Sequence, residues 1–176
     1  MDIGVVSRSF PQMSNREVAR YLSENRFKWT ELCFSQVDSD YWVYNGRSEL
    51  SHLTDQKSQE IVDVYRAHGV EVASLGVFTN LLEPDEKELE KNLAYFERHM
   101  QIASLNQIPV VATECGFVQG ERGIRADYYE EDFGRLLAVF KWLTQKAEQY
   151  RVEVALELVC SMSFRARSEQ QILSSK

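Results

Sequence analysis

From Ile3 to Val159 the chain alternates short apolar runs with amphipathic stretches, and this regular exchange of one periodicity for another restricts the fold more than any other feature. Strand-type runs fall at Ile3–Ser7, Trp29–Phe34, Val70–Phe78, Pro109–Gly116 and Val152–Val159. Helix-type signals occupy the intervals. Ser14-Asn15-Arg16-Glu17 has the form of a capping box, in which hydroxyl and carboxylate satisfy the free amides of a helix start. Ile61, Val62, Val64 and Tyr65 recur at helical spacing ahead of Gly69, a suitable helix terminator. Pro84 opens a third stretch in which Asp85, Glu86 and Glu88 suit the positive end of a helix dipole and Leu89, Leu93, Phe96 and Met100 share a face. Phe133, Leu136, Leu137, Phe140, Leu143 and Ala147 mark a fourth. Strands separated by single helices in this way require parallel pairing with right-handed crossovers, and strand order should follow sequence order with every helix on the convex side of the sheet.

The last run shows which kind of parallel sheet is meant. In Val152–Val159 the alternation of a strand sets Glu153, Ala155 and Glu157 on one face and Val154, Leu156 and Leu158 on the other. A barrel strand has this split, because its outer face lies under helices while its inner face carries chemistry at the carboxyl end. The competing architecture, an open doubly wound sheet with a nucleotide, usually shows a glycine-rich turn after a strand. Ser7-Arg8-Ser9 is no such turn, and the chain has no P-loop lysine motif. Polar or acidic residues instead recur at or near strand ends, at Ser7, Glu31, Thr113, Glu114 and Glu157, which favours the barrel.

Composition excludes several classes of partner. A chain of 176 residues with 44% hydrophobic content can bury one good core. Its net charge of −7, with both signs interspersed, gives neither the basic face of a nucleic-acid binder nor a polybasic segment for anionic lipid. The N-terminus runs straight into a strand without a basic leader, and no apolar run reaches membrane-spanning length. Cys33, Cys115 and Cys160 are widely spaced, as reduced thiols of a cytoplasmic protein would be.

Two loops contain residues suited to ligands. Tyr41-Trp42-Val43-Tyr44 can stack on the apolar side of a sugar ring, or can close as a lid on its own barrel. Arg122 and Arg125 can clamp a phosphate bidentately, or can be solvated loop residues. His52, His68 and His99 all fall away from strand ends, so no histidine metal ligand is visible.

With Ile3-Gly4-Val5, Thr30-Glu31-Leu32, Val111-Ala112-Thr113-Glu114-Cys115-Gly116 and Val154-Ala155-Leu156-Glu157 in that order, the sequence resembles the xylose-isomerase-like TIM barrels, a family that includes sugar phosphate isomerases and epimerases. The resemblance implies a partial (β/α)8 TIM barrel, five parallel strands with helices on the outer side, over residues 1–159. It implies Glu157 as ligand of a divalent metal ion (Mn, Mg, Co or Zn) and as catalytic base. The family's other ligands, an aspartate, a histidine and a glutamate, come from later strands, so the site is incomplete in this chain. The implied reaction is metal-assisted proton or hydride transfer between adjacent carbons of a sugar or sugar phosphate, with a Lewis acid stabilising charge on oxygen. Glu31, Glu114, Ser7 and Trp42 are the expected substrate contacts.

Three further expectations follow from the same reading. Residues 160–176 depart from the barrel pattern, as a truncation or a frameshift would produce. With one permissible set of codons for Leu158–Lys176, another reading frame encodes an apolar strand end, a proline at a helix start and an amphipathic helix. A sugar isomerase truncated there should be inactive and should self-associate through its open edges. The alternatives are an endonuclease-IV-like metal-dependent nuclease acting at abasic DNA, which would need a basic groove, and a non-catalytic barrel fragment.

Overall fold

The computed structural model describes residues 3–118 and 126–157. Strands β1 (Gly4–Val6), β2 (Trp29–Leu32), β3 (Glu71–Gly76), β4 (Val110–Glu114) and β5 (Glu153–Glu157) form one sheet in that order. Every neighbouring pair is parallel. Helices α1 (Asn15–Glu24), α2 (Asp55–Ala67), α3 (Glu86–Leu105) and α4 (Tyr129–Tyr150) alternate with the strands. Each helix packs on the next, so the four form one layer on the outer side of a partial barrel. Sheet order and direction agree with the expectation from the alternating pattern.

Local chemistry accounts for the helix ends. Ser14 Oγ accepts the Glu17 amide while Glu17 accepts the Ser14 amide at 2.8 Å, completing the capping box that starts α1. Asp85 caps α3 through the amides of Lys87 and Glu88, and Pro84 stands just before it. Gly69, with φ of +73°, follows the last turn of α2, where a side chain would be strained.

The core lies between the helix layer and the outward face of the sheet. Val18 and Leu22, Ile61 and Tyr65, Phe96 and Met100, and Leu143 close over Leu32, Val72, Leu75 and Val111. Each fully buried aliphatic side chain contributes about 1.5–3 kcal/mol by leaving water. The inward residues of the strands remain free to build a site.

The strands are shorter than the apolar runs that announce them, by one residue at the amino ends of β1, β3, β4 and β5 and by two at the carboxyl ends of β2, β3 and β4. Ser7 leaves β1 and enters a 3-10 turn, Ser7–Ser9, where its Oγ accepts the Cys33 amide at 3.1 Å. Cys33 and Phe34, Val77 and Phe78, and Cys115 lie beyond the ladders yet stay buried, because the chain folds inward there to make the barrel mouth. Gly116 permits one such turn. At φ of +84° a Cβ would meet Asn80 Oδ1 and the Leu81 amide at 2.7 Å, too close for any side chain. Cys33 and Cys115 are both buried. Cys160, Arg122, Arg125 and the expected atypical tail, 160–176, fall outside the described residues.

Candidate functional site

At the carboxyl end of β2 the ladder slips. Thr30 pairs with Val72, but Glu31 pairs with Ser74, so Ala73 is passed over. That irregularity sets a hydroxyl beside an inward carboxylate, and Ser74 Oγ donates to Glu31 Oε2 at 3.0 Å. Gly76, next on the same face, makes the room: a Cβ there would lie 2.8 Å from Glu31 Oε1 and 2.7 Å from Cys33 Sγ. Burial is the largest influence on Glu31 and raises its pKa, against which the Ser74 hydrogen bond lowers it. The Glu157 charge raises it further and Arg8 lowers it. Cys33 is pushed up to about 12, chiefly by burial and then by Glu31, so it is no thiolate nucleophile.

Glu31, Ser74 and Glu157 line one cavity of about 470 Å³ with Arg8, Thr30 and Trp29. Glu114 and Glu157 are register partners at the ends of β4 and β5, which places two carboxylate-bearing residues side by side at the mouth. Glu114 is 5% exposed and accepts a hydrogen bond from Tyr44 Oη at 3.0 Å.

Tyr44 belongs to the loop between β2 and α2, which α3 holds in place. Tyr95 Oη donates to the Tyr41 carbonyl at 3.1 Å, and Arg47 pairs with Glu88 at 2.6 Å. The loop brings Trp42 and Tyr44 against Phe78 at the end of the β3 run, with ring centroids 6.1 and 6.3 Å from it. Trp42 Nε1 is buried without a hydrogen-bond partner among the described residues. Arg8, just after β1, stands 4.8 Å from the Phe78 ring centre, 5.7 Å from Trp42 and 5.8 Å from Tyr44.

The residues singled out in the sequence are thus not equivalent. Glu31 and Glu157 share the cavity, Glu114 adjoins them through the β4–β5 register, and Trp42 packs against Phe78 and the cavity-lining Arg8. Ser7 is fully buried, and its hydroxyl ties β1 to the chain after β2. His99 is buried in α3, His68 Nδ1 bonds the Val64 carbonyl at 2.7 Å, and His52 is exposed in the β2–α2 loop. Sequence reading missed Arg8, Ser74 and Phe78. The position of Arg8 directly after a strand end was the available signal, whereas Ser74 reaches Glu31 only through the slip.

A family metal requires several ligands converging on one point. Among the described residues no three of His, Cys, Asp and Glu do so. Glu157 is available as a single carboxylate, and the residues described do not by themselves make a metal site.

A family model for the xylose isomerase-like TIM barrel matches residues 20–171, and the chain belongs to that family. No curated protein sequence matches it. Among solved structures, 3-keto-D-glucoside 4-epimerase YcjR from E. coli is 16% identical with a TM-score of 0.71, over 99% of this chain and 64% of that one. The IOLI protein, solved with a bound zinc atom, is 16% identical at a TM-score of 0.70, over 99% of this chain and 59% of its own. D-psicose 3-epimerase from Clostridium cellulolyticum H10, solved with D-tagatose, is 12% identical at 0.70, over 99% and 59%. The chain therefore spans about three fifths of the length of the barrels it matches. Among the described residues no helix is long and apolar enough to cross a membrane.

Proposed function

We propose that the chain is a sugar isomerase/epimerase-type protein whose described residues supply the substrate-facing carboxylates of the site. The observation that carries this reading is the meeting of Glu31 and Glu157 in one cavity, with Glu114 beside Glu157, in a chain of the xylose isomerase-like family. Sugars present rows of hydroxyl donors, and carboxylates at a barrel mouth are their natural acceptors. Glu31 and Glu114 accept substrate hydroxyls, Trp42 covers the ring, and Glu157 serves as base or as ligand. Moving a proton between adjacent carbons needs a carboxylate within hydrogen-bond reach of a carbon beside a carbonyl, and Glu157 faces the cavity where that carbon would lie. Sugar epimerases among the structural neighbours support the substrate class, and the zinc-bound neighbour supports a divalent ion. Among the described residues no three metal-ligating side chains converge on Glu157. For the same reason the chain by itself should bind sugar without turning it over.

The test is a panel of ketoses, D-fructose, D-tagatose and D-psicose, in D2O with Mn2+, Mg2+, Co2+ or Zn2+, followed by NMR for binding and for deuterium entering beside the carbonyl. Binding that falls at least tenfold in Glu157→Gln, with deuterium incorporation at background, is the expected result. Salt-sensitive binding of an abasic DNA duplex with no sugar binding would replace this reading with the nuclease. Rapid deuterium incorporation by the chain alone would show that it is not inactive.

A further inference from the structure

Arg8 presents a cation whose purpose the carboxylate site does not explain. A guanidinium carries five N–H donors in a planar fork, yet among the described residues no acceptor lies within hydrogen-bond or ion-pair distance of it, and its side-chain contacts are the three rings of Phe78, Trp42 and Tyr44. Glu31 attracts it across the cavity but takes its hydrogen bond from Ser74. Among the described residues Arg8 is also the one cation lining a cavity that holds Glu31 and Glu157. If the side chain only held the lid, an apolar residue would pack on three rings without bringing a charge into a half-buried place. The rings instead gather round the guanidinium and leave its donors unspent among the described residues, which is the preparation that bidentate recognition of an oxyanion requires.

We propose that Arg8 receives an oxyanion carried by the substrate, so that the site takes an anionic sugar derivative, a sugar acid or a sugar phosphate, ahead of a neutral sugar. This rests on the isomerase/epimerase reading and adds the substrate's charge to it. The cavity is large enough for one monosaccharide with such a group. Arg8 is then a specificity-determining residue, and the carboxylates keep the roles given above.

Calorimetric titration of the full chain with D-glucose, D-gluconate and D-glucose 6-phosphate tests this, the last two distinguishing a carboxylate from a phosphate. At least one anionic ligand should bind tenfold or more tightly than glucose. Arg8→Gln should erase that gap, and Arg8→Lys, which keeps the charge but loses the fork, should restore part of it. Raising the salt to 0.5 M should narrow the gap in the unaltered chain, a readout that needs no variant to fold. A gap that survives Arg8→Gln, or that disappears instead in Arg122→Gln or Arg125→Gln, overturns the proposal, as does equal affinity for all three ligands. Neutral sugar binding that depends on Glu157 without any anion preference would defeat the Arg8 inference alone. Arg8-dependent binding of inorganic phosphate with no sugar binding would defeat the sugar reading and leave the anion site standing.

Discussion

Glu31 shows how burial and three neighbours govern one carboxyl group. Burial pushes its pKa above the ordinary 4.5, and the Glu157 charge adds to that push, while Ser74 and Arg8 oppose it. A raised value means that the folded chain holds this proton more tightly than the unfolded chain does. Its contribution to stability is therefore full below pH 4.5 and is lost as pH rises through the raised value. Glutamine keeps an oxygen for the Ser74 hydroxyl and carries no charge to desolvate. Glu31→Gln should accordingly melt higher than the unaltered chain at pH 7 and close to it at pH 4, by scanning calorimetry across that range. A lower melting point at pH 7 would mean that the ionised carboxylate is held favourably, contrary to its surroundings. Glu31 was legible in the sequence as an acidic residue near a strand end, but its raised pKa was not, because the cause lies in residues from three other strands or turns.

At the scale of elements, α3 is a 20-residue helix buried along one side, and it carries His99 at 3% exposure. His99 Nδ1 donates to the Tyr95 carbonyl at 2.9 Å, and its ring lies 4.6 Å from that of Tyr95. Burial depresses its pKa from 6.5 to about 4. The sign is opposite to that of Glu31: this contribution is full above pH 6.5 and is lost as pH falls through about 4. The shift corresponds to about 3 kcal/mol in all. Urea unfolding at a series of pH values should show stability falling between pH 6.5 and 4, and His99→Phe should flatten that fall while leaving α3 folded. An unchanged pH profile in His99→Phe would place the acid sensitivity in other groups. The helix itself was readable from Leu89, Leu93, Phe96 and Met100, and the capping box of α1 from four consecutive residues, because both are local patterns. Strand ends were read too long, since apolar residues that fold inward at a barrel mouth look the same in sequence as residues in a ladder.

For the molecule as a whole, the described sheet has two edges. β1 and β5 each pair on one side only, and beside them Ile3, Trp29 and Leu156 are 58%, 39% and 37% exposed. Unpaired strand edges with apolar neighbours invite pairing with another chain. Light scattering across a concentration series should therefore show self-association that grows with concentration. A monodisperse monomer at high concentration would show that these edges are covered within one chain.

Periodicity by itself determined the elements and their parallel direction, because these depend on the spacing of apolar residues within one segment and on the handedness of a single crossover, while the strand order also needed the polar strand ends and the missing glycine-rich turn. It also placed Glu31, Glu114 and Glu157 at or near the ends of inward-facing strands. Tertiary structure alone decided which side chains meet there. The slip between β2 and β3 gives Ser74 to Glu31, and the loop held by α3 carries Tyr44 to Glu114, 70 residues away. The same loop, with Phe78, closes three rings on Arg8. A ladder irregularity and the path of a long loop are set by packing between distant segments, and no local pattern records them.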